Sequence, residues 1–305
     1  RPMTIARRHL MSTLLVAASL AGLHGTTLAQ TKTLRFVPHA NLTVLDPVWT
    51  TAYVTRNHAY MVYDTLFGVN QKGEIKPQMV DKWSTSKDGK TWTFTLRDGL
   101  EFHDGKPVTS EDVAASLKRW ASRDSFGGVM AKSVDAWETP DAKTFVIKLK
   151  QPFGVMLEAL GKPSSNVPFI MPARIAATPG SEQIKEHIGS GPFKFVANEY
   201  KPGERLVYVK NDKYKSRAEA PDGTTGGKPV YTDRVEWVII RDPQTQFNAL
   251  VAGEVDIVEQ PTFEQYASLK AQKDIKIVDA QPAGLQFIFR FNHLHAPFDN
   301  VKIRQ

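Results

Sequence analysis

The stretch that decides the fold is Lys87–Ser116, KDGKTWTFTLRDGLEFHDGKPVTSEDVAAS. Trp92, Phe94 and Leu96 alternate with Thr91, Thr93 and Thr95, a period of two that gives a strand one apolar face and one hydroxyl face. Asp88-Gly89 precedes this strand and Asp98-Gly99 follows it, and Asp-Gly readily supplies the positive φ angles of tight turns. After a third turn at Asp104-Gly105, Thr109 stands three residues before Asp112, the spacing of a capping box. Val113, Leu117 and Trp120 then share one helical face, so the segment predicts strand, turn, short strand, turn and helix, the helix ending near Ala121.

Working outward, DAKTFVIKL at Asp141 to Leu149 echoes DGKTWTFTL at Asp88 to Leu96, a second use of hairpin grammar too short to be a repeat. Upstream, Thr33 to Val37 predicts a strand, followed by a loop through Asp46-Pro47 and a helix from about Thr51 to Leu66. Downstream, a helical region is expected from Ala173 to Ile188, and Gly189 and Gly191 permit sharp turns before the Phe193/Phe195 alternation. Strands are expected at Arg205 to Val209 and Val235 to Ile240, the latter nearly continuous in apolar character and therefore covered on both faces. Asp242-Pro243 starts a helix that ends at Gly253, and Glu254 to Val258 forms the next strand, a strand–helix–strand unit typical of α/β layers. One further helix in Pro261 to Gln272 and a strand in Ile275 to Ala280 complete the pattern, with Pro221 to Gly227 expected as a mobile surface loop.

The 305 residues suit two domains or one large domain with an insert. The absence of cysteine removes disulfides, thiolate metal sites and cysteine nucleophiles. Arg7 and Arg8 precede an apolar run from Leu10 to Leu23, and Thr27-Leu28-Ala29 offers a small residue for cleavage, so 1–29 is expected to be a secretory signal peptide. General secretion fits better than the twin-arginine route, because His9-Leu10-Met11 lacks the aromatic and lysine that usually follow. Setting aside the three leader arginines, Arg1, Arg7 and Arg8, lowers the net charge from +7 to +4. The remaining basic residues are dispersed, with no cluster that would track a phosphate backbone, so no nucleic-acid partner is expected.

The blocks at Asp81 to Trp120, GSGPFKF at Gly189 to Phe195, FNALVAGEVDIV at Phe247 to Val258 and FIFRFNHLHAPFDNVKIRQ at Phe287 to Gln305 together resemble the family 5 extracellular solute-binding proteins of ABC importers. The resemblance implies an α/β, periplasmic-binding-protein-like clamshell (type II, cluster C) whose two lobes close on a ligand and present it to a membrane permease. It further implies a lobe I core over 30–73 and 187–280, an inserted hairpin-rich subdomain over 74–186, and a truncated crossover over 281–305 with the second lobe missing. A monomeric receptor in the periplasm that binds a peptide or similar small solute, with no cofactor, follows from the same resemblance.

Such a ligand calls for aromatic walls and a few polar groups that fix its ends. Trp49, Tyr53, Thr55, Arg56 and Asn57 form the leading candidate set, because they follow the first strand and an arginine can grip a carboxylate with two parallel hydrogen bonds. Trp49 and Tyr53 could equally cap the core. Arg119, Trp120 and Arg123 are added because this corner faces the cleft in the nickel-chelate branch of the family, although Trp120 also continues the Val113/Leu117 stripe. Ser164, Ser165 and Asn166 occupy a loop whose counterpart in the family contributes contacts.

Among the histidines, His58 alone lies near the candidate cleft and merits a test for chelate binding, whereas His103 reads as decoration of a turn. His293 and His295 lack a third ligand nearby, so no metal site is expected. No G-x-S-x-G elbow, P-loop or H-E-x-x-H helix occurs, and Glu111-Asp112 is explained by the helix start, so the chain does not read as an enzyme. A secreted hydrolase and a periplasmic sensor or chaperone-like module are the rival readings.

Overall fold

The computed structural model describes residues 31–164, 166–280, 284 and 289–305. The leader expected over 1–29 lies outside the described residues, as do Ser165 and most of 281–288. The described residues divide into two compact units, one that ends at Gln260 and one that begins at Pro261.

In the first unit the chain enters through β1 (Thr33–Val37), crosses a loop and forms α1 (Tyr53–Val62). The helix is shorter than the expected 51–66. It stops at Tyr63 because the next residues are taken into a strand, β2 (Asp64–Thr65), which pairs with a segment more than a hundred residues away, β9 (Phe169–Ile170). Between these come the ribbon β3 (Phe67–Val69) and β4 (Ile75–Pro77), then β5 (Val80–Thr85), β6 (Thr91–Leu96), β7 (Val134–Glu138) and β8 (Thr144–Leu149).

The hairpin block builds an antiparallel sheet in the order β5-β6-β8-β7. Gly89, Gly99 and Gly105 all adopt positive φ, as the three Asp-Gly turns require. The two echoing segments lie side by side as β6 and β8, so that Phe94 faces Phe145 and their rings stack 4.7 Å apart. One face of this sheet packs on α2 (Ser110–Ala121), whose Val113, Leu117 and Trp120 are fully buried in the same cluster as Phe94, Leu96 and Ile147. The predicted start of α2 is present. The Asp112 carboxylate accepts from the Thr109 amide and hydroxyl, both at 2.8 Å, and from the Ala173 amide at 2.7 Å. Two short helices complete this part, α3 (Ser125–Ser133) and α4 (Met156–Gly161).

The expected helical region from 173 to 188 reduces to α5 (Ala173–Ala176). The following GSG segment runs across the end of α1, with Gly191 donating to the Val62 carbonyl at 2.9 Å. A Cβ on Gly189 would sit 2.1 Å from that carbonyl oxygen, so only glycine permits the approach. His103 is part of this junction rather than turn decoration. Its amide donates to the Gly189 carbonyl at 2.8 Å, and its Nε2 lies 3.1 Å from the Gly191 carbonyl oxygen.

Beyond the junction, β10 (Phe193–Phe195), β11 (Arg205–Lys210), β12 (Arg234–Val238) and β13 (Ile257–Val258) join β1 in a mixed sheet of order β10-β11-β12-β1-β13. β1 runs parallel to both β12 and β13, and α6 (Pro243–Val251) makes the crossover between those two. Asp242 caps α6 by accepting from the Thr245 amide at 2.7 Å. The strand at 235–240 is shorter than expected and alternates, with Val235 and Trp237 buried and Arg234, Glu236 and Val238 half-buried, so one face carries the core. A second cluster, with Leu42, Val48, Val54, Val62, Phe169, Leu206, Tyr208 and Trp237, fills the space between this sheet and α1.

The 221–227 loop is tied down: Gln78 donates to the Thr224 and Gly226 carbonyls, and Thr224 exchanges hydrogen bonds with Val69. In the second unit, α7 (Tyr266–Lys270) and α8 (Val301–Arg304) are present, but 275–280 forms no strand.

Candidate functional site

Ligands of open α/β sheets bind in the crevice beyond the carboxyl ends of the parallel strands. Here those ends present His39, two residues past β1, and Glu259, one residue past β13. The Glu259 amide extends the ladder to the Val37 carbonyl, which brings its side chain back over β1. Its Oε2 accepts from the His39 amide at 2.8 Å and lies 2.8 Å from the His39 ring Nδ1. Burial alone would raise the pKa of Glu259, but the hydrogen bonds from His39 and the nearby positive charge of Arg56 outweigh it and hold the carboxyl below its usual range.

The first two turns of α1 face this carboxylate. Asn57 Nδ2 donates to Glu259 Oε1 at 3.0 Å, and Asn57 Oδ1 accepts from Arg56 Nε at 3.2 Å and from its NH2 at 3.0 Å. The guanidinium lies over the ring of Tyr53, 4.3 Å from its centre, and donates from NH1 to Ser164 Oγ at 3.2 Å. Tyr53 is 51% exposed, so the aromatic–guanidinium stack forms an open rim. A second stack involves the segment that leads into α1, with Arg123 5.2 Å from the centre of the Trp49 ring and donating to the Trp49 carbonyl at 3.3 Å.

The remaining candidates support this rim from inside. Asn166, in a left-handed conformation with φ of 53°, directs its amide nitrogen to the carbonyls of Pro47, Val48 and Thr50 at 2.9–3.2 Å. Trp120 is fully buried, and its indole N–H donates to the Asn166 carbonyl. Arg119 is buried as well. It pairs with Asp46 through NH1 at 3.1 Å and NH2 at 2.7 Å, and donates to the Thr178 and Glu182 carbonyls. Thr55 is buried and donates to the Val44 carbonyl at 2.7 Å. These side chains are engaged inside the fold, where their hydrogen bonds position the loop. Ser165 lies outside the described residues.

His58 does not face the cleft either. It is fully buried with Nδ1 2.8 Å from the Tyr208 hydroxyl, and burial followed by the charge of His187 lowers its pKa to about 3. Among the described residues no cluster of three or more His, Asp or Glu side chains could hold a metal ion.

His39 and Glu259 were not among the sequence candidates. The signal that could have found them is positional, since each follows a strand of the parallel set. A surface depression of about 510 Å³ lies elsewhere, on the flank of α2 between Lys118, Trp137 and Gly180. It contains none of the stacked pairs, so volume alone does not mark the chemistry here.

Residues 74–305 match the family described as Bacterial extracellular solute-binding proteins, family 5 Middle. The chain is 42% identical over 310 residues to the probable peptide ABC transporter periplasmic-binding protein y4tO of Sinorhizobium fredii, covering 99% of this chain and 58% of that protein. In structure it is similar to the periplasmic binding protein AgaA of A. tumefaciens R10, solved with agropinic acid, at 29% identity and a TM-score of 0.63, covering 78% of this chain and 45% of that one. It shares a fold with a dipeptide binding protein from Pseudoalteromonas sp. SM9913, solved with Met-Leu, at 21% identity and a TM-score of 0.71, covering 90% of this chain and 56% of that one. The chain thus spans about half the length of the relatives it matches. With the match covering most of its residues and a fold shared with periplasmic binding proteins, the chain belongs to the bacterial extracellular solute-binding proteins, family 5.

Proposed function

We propose that the chain carries one ligand-binding face of an exported receptor that captures a peptide or similar small solute in the periplasm and delivers it, unchanged, to the permease of an ABC importer. The observation that carries this reading is the cluster beyond the parallel strands: Arg56 stacked on Tyr53, linked through Asn57 to Glu259. A guanidinium with an aromatic wall beside it suits a carboxylate-bearing organic solute, and nothing in the cluster is arranged to attack one. Within this reading 30–73 and 187–280 are the core of lobe I, 74–186 is its insert, and a second lobe closes over the same face. Release of the leader at Ala29 and a monomeric state belong to the same proposal. Trp49, Arg123 and Ser164 are the flanking contacts.

The test is calorimetric titration of the full-length gene product with dipeptides, oligopeptides, opines and nickel chelates. For the best-bound solute, Arg56→Ala is expected to weaken binding by about tenfold or more, the loss of one or two charge-assisted hydrogen bonds. Tyr53→Ala is expected to cost less, about two- to fivefold for a partly exposed stack. Unaltered affinity in both variants removes this face from the binding site. Recovery of cleaved solute by mass spectrometry would show a hydrolase instead.

A further inference from the structure

The contact between Arg56 and Asn57 is unusual for its position. Neighbouring residues on a helix point about 100° apart and do not ordinarily face each other. Here the Arg56 side chain folds back so that Nε and NH2 both reach Asn57 Oδ1. The orientation of the Asn57 amide has only one solution. Its oxygen must face the guanidinium, which can only donate, and its nitrogen must face the Glu259 carboxylate, which can only accept. Glu259 is in turn fixed by two contacts from His39, and its own amide is held in the sheet.

The donors of Arg56 can then be counted. Of the five N–H groups of a guanidinium, two go to Asn57 and one goes to Ser164. Among the described residues the other two, one on each terminal nitrogen, have no acceptor.

We propose that Glu259 is a positioning residue of the site: held by His39 at the end of β13, it orients Asn57, and Asn57 sets Arg56 so that two N–H groups remain free for the carboxylate of a solute. The inference rests on the function proposed above, and it adds a residue more than two hundred positions away in sequence from the group it orients. Glu259 itself need not touch the solute. Removing it frees the Asn57 amide to rotate, and Arg56 loses the acceptor that holds its inner edge.

The first measurement needs no solute. In the ¹⁵N-labelled full-length gene product, the Arg56 Nε–H resonance, assigned by its disappearance in Arg56→Lys, should exchange slowly with water. Glu259→Ala is expected to accelerate that exchange about tenfold or more, the loss of roughly one charge-assisted hydrogen bond. Glu259→Gln, which keeps an acceptor for the Asn57 amide, should restore much of the protection. Unchanged exchange in Glu259→Ala overturns the proposal. The second measurement uses an equimolar mixture of free dipeptides and its C-terminally amidated counterpart. Glu259→Ala should weaken capture of the free acids about tenfold, and should have no further effect once Arg56→Ala is present. An equal loss in the Arg56→Ala background overturns the relay, because Glu259 would then be acting on its own. If Arg56→Ala captures the mixture as well as the parent protein does, the functional reading fails, while the exchange measurement still decides whether Glu259 positions Arg56.

Discussion

Replacement of Arg119 by alanine is expected to destabilise the protein by about 3–5 kcal/mol, because it leaves the Asp46 carboxylate buried without its cation. Both side chains are essentially inaccessible, at 1% and 0% exposure. After the substitution Asp46 keeps only two amide donors, from Val48 at 2.9 Å and Ile184 at 3.0 Å. Four hydrogen bonds, two to the Asp46 carboxylate and one each to the Thr178 and Glu182 carbonyls, disappear with Arg119, so the 41–50 loop, α2 and the 178–184 segment all come loose together. For a domain of this size the loss corresponds to roughly 10 °C in Tm. The double variant Asp46→Asn/Arg119→Met should recover part of it, since an apolar replacement carries no unpaired charge. Thermal unfolding of the two variants beside the parent decides the matter, and a drop of less than about 1 kcal/mol in Arg119→Ala would be incompatible with a dry, fully engaged pair.

The same pair shows what the sequence could and could not supply. Arg119, read alone, resembles a ligand-gripping arginine at a helix end. Its partner lies 73 residues earlier in a loop, and no local pattern connects the two. Long separation also hid the relay, where Asn57 meets Glu259 over 202 positions and His39 meets it over 220. By contrast, the features read correctly are short-range. The Asp-Gly turns, the Thr109/Asp112 start of α2 and the Asp242 cap of α6 are each decided within four residues. The helix drawn from 51 to 66 overran for the same reason. Residues 64–65 have ordinary helical surroundings in sequence, and only their pairing with 169–170 draws them out into a strand. Tyr53 and Arg56 lay inside the candidate set because both stand in the first turn of a helix that was itself legible, three residues apart on one face.

Acid should destabilise this protein well before its carboxylates are protonated, and one buried histidine, His58, with two half-buried ones, His103 and His187, is the cause. His58 is driven down to about 3 by burial and then by the charge of His187. His103 is driven to about 4, chiefly by burial, against the opposing pull of its hydrogen bond to the Gly191 carbonyl. His187 is also lowered, again by burial first. In the unfolded chain all three titrate near 6.5. The unfolded state therefore binds more protons than the folded state below that value, and stability falls as the pH falls from 6.5 toward 4. Above about pH 7 the neutral imidazoles cost nothing, and the contribution is fully present. Each excluded proton adds a slope of about 1.4 kcal/mol per pH unit in this window, so His58 and His103 together can remove roughly 4 kcal/mol by pH 5. The geometry explains why protonation is resisted. His58 Nε2 has no partner among the described residues, so an added proton there would be buried without an acceptor. His103 Nδ1 receives the Gly189 amide at 3.4 Å, a contact that a second ring proton would replace with two opposed N–H groups. Urea unfolding at pH 7.5, 6.5, 5.5 and 4.5 measures the slope. His58→Phe should reduce it by close to one proton while leaving the His103 share intact. A stability that stays level from pH 7 to 5, or a slope that His58→Phe does not change, would mean that the imidazole under α1 is reached by water after all.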